Sequence, residues 1–366
     1  MHPMKPKHLL FLLTFAILAT LLSGCAGGGA TAASSWPGLT VDEENAYLAY
    51  NTYVYAIQLS NGSLKWRYPS EANRTVSFYA DPALSPDGQL IVGGYNHVLY
   101  GLDPKTGSMK WDFLQANNRY IASPLVVEQG IFAPNSDDTL YALDLSGNLR
   151  WKFNAKGESW ARPVTGQACD CIYLSSMDHH LYALDPADGS VIWQSEDLGG
   201  AMVGTPALSE TGSLYIGTFG SEVLALNSQN GEILWRVPTE KWVWSGPTLA
   251  GDRLYVGDLA GNFYALNAGN GETIWQLTPG QLDGPIVGSP LVIDDSIYFG
   301  SESGTLYAVD ISGEIQWSQT TGGKLYTSPK QAGDLILVAP IQSEELLIAF
   351  DRDGAKKWAF VPEPKK

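Results

Sequence analysis

Two short groups of residues carry side chains that could bind a metal ion or undergo thiol chemistry. Cys169 and Cys171 flank Asp170, and the adjacent pair His179 and His180 follows in the same part of the chain. A metal site needs ligands that converge on one ion, whereas neighbouring residues of a strand point to opposite faces. We therefore predict a solvated loop end at the histidines. The cysteines could form a local disulfide in an oxidising compartment or remain thiols, and the sequence leaves both alternatives open.

Composition gives little support for catalysis or for nucleic-acid binding. Only five histidines are present, and no arrangement of serine, histidine and aspartate typical of a nucleophilic triad is recognisable. The formal net charge is −16, and no basic cluster is available to attract phosphates. We therefore predict a protein that is not an enzyme. We expect no catalytic, cofactor-binding or metal-binding residues and no nucleic-acid partner.

The amino-terminal segment predicts export from the cytoplasm. A basic lead precedes a run of 14 apolar or neutral residues at 9–22, which is short for a membrane-spanning helix and suits a signal peptide. The ending "LSGC" resembles the lipobox of bacterial lipoproteins, which implies that Cys25 becomes the lipidated first residue. An ordinary secretory signal with a chance cysteine is the alternative. The predicted boundaries are a signal peptide at 1–24 and a lipidated, flexible tether at 25–35.

The rest of the chain is built from one repeated stretch. The sequence "LYALDPADGSVIW" at 181–193 occurs in eight variants, whose closing tryptophans are 40 to 45 residues apart. These tryptophans are Trp66, Trp111, Trp151, Trp193, Trp235, Trp275, Trp317 and Trp358. Apolar residues alternate within the repeats, which indicates strands rather than helices. The pattern predicts an all-β fold, an eight-bladed β-propeller with four antiparallel strands per blade, over residues 36–362, followed by a tail at 363–366.

The recurring residues of the repeat are expected to have separate structural roles. A proline stands 27 to 30 residues before each tryptophan, and we place it on the innermost strand, whose free edge tolerates a missing amide hydrogen. Aspartate or asparagine opens the last turn by bonding its backbone, and a later glycine supplies a positive φ. The tryptophan docks in a slot between neighbouring blades. We expect the first blade to pack against the eighth without an exchanged strand.

The pattern A-x-D-x-x-x-G-x-x-x-W resembles the tryptophan-docking repeat of pyrroloquinoline quinone (PQQ) dehydrogenases and of the BamB lipoproteins of outer-membrane barrel assembly. The resemblance covers residues 36–362, with Gly101 in place of the alanine in one copy. Such dehydrogenases hold the quinone in the channel mouth with calcium, an aspartate and, in several of them, two directly adjacent cysteines. Here Cys169 and Cys171 are not adjacent, and the repeats leave no long insertion for a cofactor site. We therefore expect no cofactor.

The resemblance implies a non-catalytic, lipid-anchored scaffold that binds other envelope proteins, with the barrel-assembly machinery as the specific candidate partner. In a cell with two membranes it would lie on the periplasmic side of the outer membrane. In a cell with one membrane it would lie at the cell surface. A propeller that binds a saccharide or another small ligand is the alternative function, and a PQQ-dependent dehydrogenase is the least favoured.

The candidate partner site is a group of aromatic, methionine and arginine residues in the connections between blades. These connections emerge on one face of a propeller, and such residues are enriched at binding hot spots. The predicted partner-binding residues are Trp160, Arg162, Met202, Trp242, Trp244, Arg119 and Tyr120. Phe78, Tyr79 and Tyr326 extend the aromatic character of the same face. The alternative is that these side chains fill the mouth of the central channel.

Overall fold

The structure is a computed structural model that describes residues 36–73, 75–166 and 169–362. The predicted signal peptide at 1–24, the tether at 25–35 with Cys25, and the tail at 363–366 lie outside the described residues. Within the described part of the chain, no helix has the length and hydrophobicity needed to cross a membrane.

The described residues form 32 strands in eight antiparallel sheets of four strands, and each sheet is one blade. The strands of blades one and two are β1 (Gly38–Val41), β2 (Asn45–Tyr50), β3 (Tyr53–Gln58), β4 (Leu64–Tyr68), β5 (Ala83–Leu84), β6 (Leu90–Gly93), β7 (Leu99–Leu102) and β8 (Met109–Phe113). The strands of blades three and four are β9 (Leu125–Val127), β10 (Gly130–Pro134), β11 (Thr139–Leu143), β12 (Leu149–Asn154), β13 (Val164–Gly166), β14 (Cys171–Ser175), β15 (Leu181–Leu184) and β16 (Val191–Gln194).

The second half of the ring repeats the same order of strands. The strands of blades five and six are β17 (Ala207–Leu208), β18 (Ser213–Thr218), β19 (Glu222–Asn227), β20 (Ile233–Pro238), β21 (Thr248–Ala250), β22 (Arg253–Gly257), β23 (Phe263–Asn267) and β24 (Thr273–Leu277). The strands of blades seven and eight are β25 (Leu291–Ile293), β26 (Ser296–Gly300), β27 (Thr305–Asp310), β28 (Ile315–Thr320), β29 (Lys330–Ala332), β30 (Leu335–Val338), β31 (Leu347–Phe350) and β32 (Lys356–Phe360). The predicted eight-bladed propeller is confirmed.

The first strand of each blade lies at the axis of the ring. β1 contacts β29, β5 contacts β9, and β13, β17, β21 and β25 contact one another in turn. The prediction that the recurring prolines lie on these strands is wrong by one position. Each proline stands immediately before the strand, as Pro37 does before Gly38 and Pro329 before Lys330. Because proline fixes its own φ and restricts the preceding residue, it ends the connection from the previous blade in an extended conformation.

The ring closes with complete blades. Every sheet consists of four strands that are consecutive in the chain, so no strand is exchanged between the first and eighth blades among the described residues. Leu39, Leu48 and Tyr55 of the first blade share a hydrophobic core with Leu337 and Phe360 of the last. The predicted closure by packing of these two blades is confirmed for this part of the chain.

The outermost strand of each blade carries the tryptophan that reaches the neighbouring blade. In seven of the eight blades, its indole Nε1 donates at 2.8 to 3.1 Å to a carbonyl oxygen in the last turn of the next blade. The pairs are Trp66 and Pro104, Trp151 and Pro186, Trp193 and Ser228, Trp235 and Ala268, Trp275 and Ile311, Trp317 and Arg352, and Trp358 and Leu59. The last pair joins blade eight to blade one.

Trp111 is the exception, and the glycine at position 101 explains it. A Cβ atom at Gly101 would lie 2.3 Å from Cε2 of Trp111, so the ring occupies the space that alanine fills in the other blades. From this position, Nε1 of Trp111 donates to Oε1 of Gln89 at 2.9 Å. Nε2 of Gln89 then donates to the Leu145 carbonyl oxygen of the next blade at 2.9 Å. Gln89 therefore relays the contact between the second and third blades.

The glycine of the last turn has a second role that the sequence pattern alone did not reveal. At all eight positions φ is positive, and a Cβ atom would lie 2.5 to 2.9 Å from the tryptophan ring of the preceding blade. The positions are Gly62, Gly107, Gly147, Gly189, Gly231, Gly271, Gly313 and Gly354. The turn therefore presents both a carbonyl oxygen for the indole N–H and a flat surface for the ring.

The aspartate or asparagine that opens the turn bonds the turn's own backbone, as predicted. Oδ1 of Asp103 accepts the Lys105 amide at 2.7 Å, and Oδ1 of Asn227 accepts the Gln229 amide at 2.8 Å. These bonds hold the following residues in the compact conformation that places the carbonyl oxygen and the glycine beside the tryptophan.

We expect Trp193→Ala to reduce the free energy of unfolding by about 2–3 kcal/mol, less than for a fully buried tryptophan. The Trp193 ring is half-buried rather than enclosed in a deep slot, and its Nε1 donates to the Ser228 oxygen at 3.0 Å. Urea unfolding of the purified protein measures the change. The control is Ile192→Ala, because Ile192 is 48% exposed on the other side of the same strand. A Trp193→Ala variant as stable as the control contradicts the docking role.

A pair of glycine substitutions isolates the contribution of the ring contact. Gly189 and Gly88 have φ values of 76° and 75°, so alanine strains the backbone equally at both. A Cβ atom at Gly189 would lie 2.5 Å from Cε3 of Trp151, whereas one at Gly88 meets nothing within 4 Å. We expect Gly189→Ala to cost about 1–3 kcal/mol more than Gly88→Ala in urea unfolding. Equal losses would mean that the ring does not depend on the glycine.

Candidate functional site

The connections between blades meet around the central channel on one side of the molecule. The loops between the second and third strands of each blade emerge on the same side, which we call the upper face. At its centre lies a cavity of about 180 Å³, lined by residues from all eight blades. Trp160, Arg162 and Trp244 of the predicted partner site are among these residues. The channel mouth therefore brings together residues that are far apart in the sequence.

Four aromatic rings cross the channel mouth. The ring centroid of Trp36 lies 5.7 Å from that of Trp244, 6.2 Å from that of Tyr326 and 6.3 Å from that of Tyr79. These residues belong to blades one, six, eight and two, and we call them the aromatic plug. The sequence left two interpretations for Trp244, a contact with a partner or a side chain that fills the channel mouth. These contacts favour the second, because the Trp244 ring packs inside the mouth.

The row of rings continues outward from the plug to an exposed tryptophan. The Phe219 ring lies 5.2 Å from that of Trp244 and stacks on that of Trp242, with centroids 4.9 Å apart and planes inclined by 11°. Trp242 is 49% exposed. We call Phe219 and Trp242 the outer pair. Phe219 was missed in the sequence because it lies in the short loop between β18 and β19 and belongs to no recurring pattern.

On another side of the plug, Arg119 braces the aromatic row rather than extending into solvent. The Tyr79 ring stacks on the Tyr95 ring with centroids 4.7 Å apart, and the guanidinium carbon of Arg119 lies 4.7 Å from the centre of the Tyr95 ring. Nη1 of Arg119 also donates a hydrogen bond to the Tyr95 hydroxyl oxygen. A cation over an aromatic face is stabilising, especially where water is partly excluded.

Hydrogen bonds to two glutamates hold the rim of the mouth. Nε1 of Trp160 donates to Glu158 at 2.7 Å, and the half-buried ring stays against the cavity. The Tyr326 hydroxyl and the Lys324 ammonium each donate to Oε1 of Glu302 at 2.7 Å. The bonds from Lys324 and then from Tyr326 lower the pKa of Glu302. Glu302 therefore stays ionised and positions the Tyr326 side of the plug.

Two of the predicted partner residues are buried in the core, so as direct partner contacts they are wrong. Met202 is 0% exposed and packs in the core that contains Leu198 and Ile216. Tyr120 is 1% exposed in a neighbouring core, and its burial raises the pKa of its hydroxyl well above the usual value. Residue type could not separate these side chains from exposed ones, because the connections fold back over the cores between blades.

Arg162 lies inside the channel rather than on the outer surface. It lines both the mouth cavity and a second cavity of about 270 Å³ that also includes Lys330 and Asp81. The Lys330 ammonium lies 2.9 Å from Oδ2 of Asp81. The Arg162 side chain is exposed to the space inside the channel. The protein around it lowers the pKa of the guanidinium by desolvation, and the nearby Asp81 carboxylate acts in the opposite direction.

The cysteines and histidines of the sequence analysis lie at separate places. Cys169, in the turn between β13 and β14, forms a disulfide with Cys171, the first residue of β14, and their Cα atoms are 5.2 Å apart. This turn lies on the side opposite the upper face, which we call the lower face. Nδ1 of His179 lies 3.2 Å from the Asp197 carboxylate, and Nδ1 of His180 lies 2.9 Å from a backbone carbonyl oxygen. Among the residues that the structure describes, no three histidine, cysteine or acidic side chains converge as metal ligands.

The fold and the tryptophan contacts define a class of proteins, the eight-bladed propellers with tryptophan-docking repeats. The family model described as "Outer membrane protein assembly factor BamB" (PQQ_2) matches residues 50–197, 177–312 and 264–366. The chain belongs to this family.

Solved structures share the fold at low sequence identity. BamB from Moraxella catarrhalis superposes with a TM-score of 0.69 at 18% identity, covering 86% of this chain and 93% of that chain. The computationally designed protein Ika8 superposes with a TM-score of 0.72 at 13% identity, covering 89% of this chain and 96% of that chain. At these identities the likeness supports the fold and carries no functional information.

Two curated relatives match shorter parts of the chain. The quinoprotein alcohol dehydrogenase PedH of Pseudomonas putida is 26% identical over 139 residues, which are 32% of this chain and 23% of that protein. The serine/threonine-protein kinase AfsK of Streptomyces coelicolor is 30% identical over 95 residues, which are 26% of this chain and 11% of that protein. The matching region thus spans less than a quarter of each relative.

The residues at the channel mouth do not fit a quinone held as in the dehydrogenases. The Trp36 ring packs across the mouth against Trp244, where the cofactor would need an open cavity. Asp81 is the only carboxylate among the described residues that line this cavity, and it already accepts bonds from Lys330 and the Leu39 amide. The cysteine pair lies on the opposite face.

The contacts of Trp36 predict that the plug stabilises the ring. We expect Trp36→Ala to lower the free energy of unfolding by about 1–3 kcal/mol, because the half-buried ring contacts three others. Trp242→Ala is the control, since its ring is 49% exposed at the end of the row. We expect that variant to stay within about 0.5 kcal/mol of the wild type. Urea unfolding measures both, and equal effects would contradict a structural plug.

Proposed function

We propose that this protein is a non-catalytic scaffold that binds envelope proteins through its upper face. Its specific role would be that of a BamB-like factor in the assembly of outer-membrane β-barrel proteins. The observation that carries the proposal is the family match, which extends over residues 50–366 and therefore over almost the whole propeller.

The outer pair supports the position of the partner site. Trp242 is 49% exposed, yet its ring is already fixed by stacking on Phe219. A large aromatic surface that is ordered before binding loses little conformational freedom when a partner covers it. Tryptophan is also enriched among the residues that contribute most to binding. We therefore assign the direct contacts to Trp242, Phe219 and Trp160 at the rim. Trp244 supports Phe219 from within, and Arg119 supports the plug from another side.

The proposed lipid anchor at Cys25 would hold the protein on the periplasmic side of the outer membrane, where a barrel-assembly partner would be located.

The experiment that tests this function is a binding titration with the purified barrel-assembly protein of the same cell. Wild-type protein should bind, and Trp242→Ala and Phe219→Ala should each weaken the affinity at least about tenfold, as is typical of hot-spot residues. Leu234→Ala is the matched control, because Leu234 is 52% exposed on the outermost strand of blade five, away from the upper face. Circular dichroism confirms that every variant is folded.

Two results would contradict the proposal. If the wild-type protein does not bind the barrel-assembly protein, the BamB-like role is wrong. If binding is retained in both upper-face variants and lost in Leu234→Ala, the assignment of the face is wrong. A melting-temperature increase with envelope saccharides, without protein binding, would favour the alternative of a propeller that recognises a saccharide.

A further inference from the structure

The wall of the channel carries a charge opposite in sign to that of the whole protein. The chain has a formal net charge of −16. Among the described residues that line the two channel cavities, the charged side chains are Arg162, Lys330 and Asp81. Two cations therefore face one carboxylate in a confined space. Such a local excess of positive charge attracts small anions, and low-dielectric walls strengthen the attraction.

The single carboxylate is already engaged by other groups. Oδ2 of Asp81 accepts the Lys330 ammonium at 2.9 Å, and Oδ1 accepts the Leu39 amide at 2.9 Å. These bonds connect blades eight, two and one across the channel wall. Asp81 thereby neutralises Lys330 and leaves the charge of Arg162 without a paired carboxylate.

Arg162 makes no hydrogen bond or ion pair with any other described residue. The guanidinium carries five N–H donors, and the side chain is exposed to the space inside the channel. The protein around the channel lowers the pKa of Arg162, but the side chain stays accessible to a ligand. A bound anion would accept hydrogen bonds from donors that no protein group occupies.

We propose that the channel beneath the aromatic plug binds a small oxyanion, a carboxylate or phosphate, with Arg162 as its principal ligand. The planar guanidinium matches the two oxygens of such a group with two parallel hydrogen bonds. The site does not depend on the proposed scaffold function, since its residues face the channel and not the outer pair.

The size of the cavities limits the ligand. They have volumes of about 180 and 270 Å³ and share Asp81, Ser123 and Arg162. Pockets for drug-sized ligands are usually about 300–1,000 Å³. The ligand is therefore an anion of few heavy atoms, such as acetate, malonate or inorganic phosphate.

Thermal unfolding and calorimetric titration with defined anions test the proposal. Sodium phosphate, acetate and malonate are compared with sodium chloride at equal ionic strength and pH, using the purified full chain. At least one oxyanion should raise the melting temperature in a saturable manner, whereas chloride should not. The preferred anion among the three tells a phosphate site from a carboxylate site. Arg162→Gln should weaken binding of that anion at least tenfold.

Matched variants separate the site from nonspecific effects. Arg67→Gln removes a positive charge on the outermost strand of blade one and should bind like the wild type. Arg162→Lys keeps the charge but loses the planar fork. This variant should bind more weakly even if Arg162→Gln proves unstable. Absence of a saturable response in the wild type, or unchanged affinity in the two Arg162 variants, would overturn the proposal.

Discussion

The hydrogen bond from the tryptophan of one blade to the last turn of the next is the interaction on which the ring depends. In seven of the eight blades it fixes the outermost strand to the neighbouring sheet, in addition to the apolar packing between the blades. Because Trp358 donates to the Leu59 oxygen, the same bond closes the ring between the ends of the propeller. The Gln89 relay shows that the connection is retained even where Trp111 has tilted over Gly101.

A closed ring of eight blades creates a space at the axis, and the side chains that fill this space determine which residues of the upper face stay exposed. Trp36 fills the mouth by packing against rings from three other blades. Tyr326 is held in place by Glu302, and Arg119 supports Tyr95 behind the plug. These side chains of the upper face thus contact one another. Trp242 stacks on Phe219 and remains 49% exposed.

Three surfaces with different chemistry result from this arrangement. The outer pair offers a flat apolar contact, the channel offers an unpaired guanidinium, and the lower face carries the disulfide between Cys169 and Cys171. The blades carry the contacts that close the ring, and the connections between them vary in sequence. The same fold occurs in a computationally designed protein at 13% identity.

The sequence by itself determined the number of blades, their strand order and the role of the recurring tryptophans. These features depend on local patterns, namely alternating apolar residues, turn residues at fixed spacing and a period near 42 residues, which need no knowledge of distant contacts. Only the tertiary structure decided whether the aromatic and basic residues in the connections are buried or exposed. Met202 is in the core, Trp244 is in the plug and Trp242 is in water, although all three enter the upper face from similar positions. Their environments depend on residues from other blades, such as Trp36 and Phe219, because closing the ring brings those residues to the axis from distant parts of the sequence.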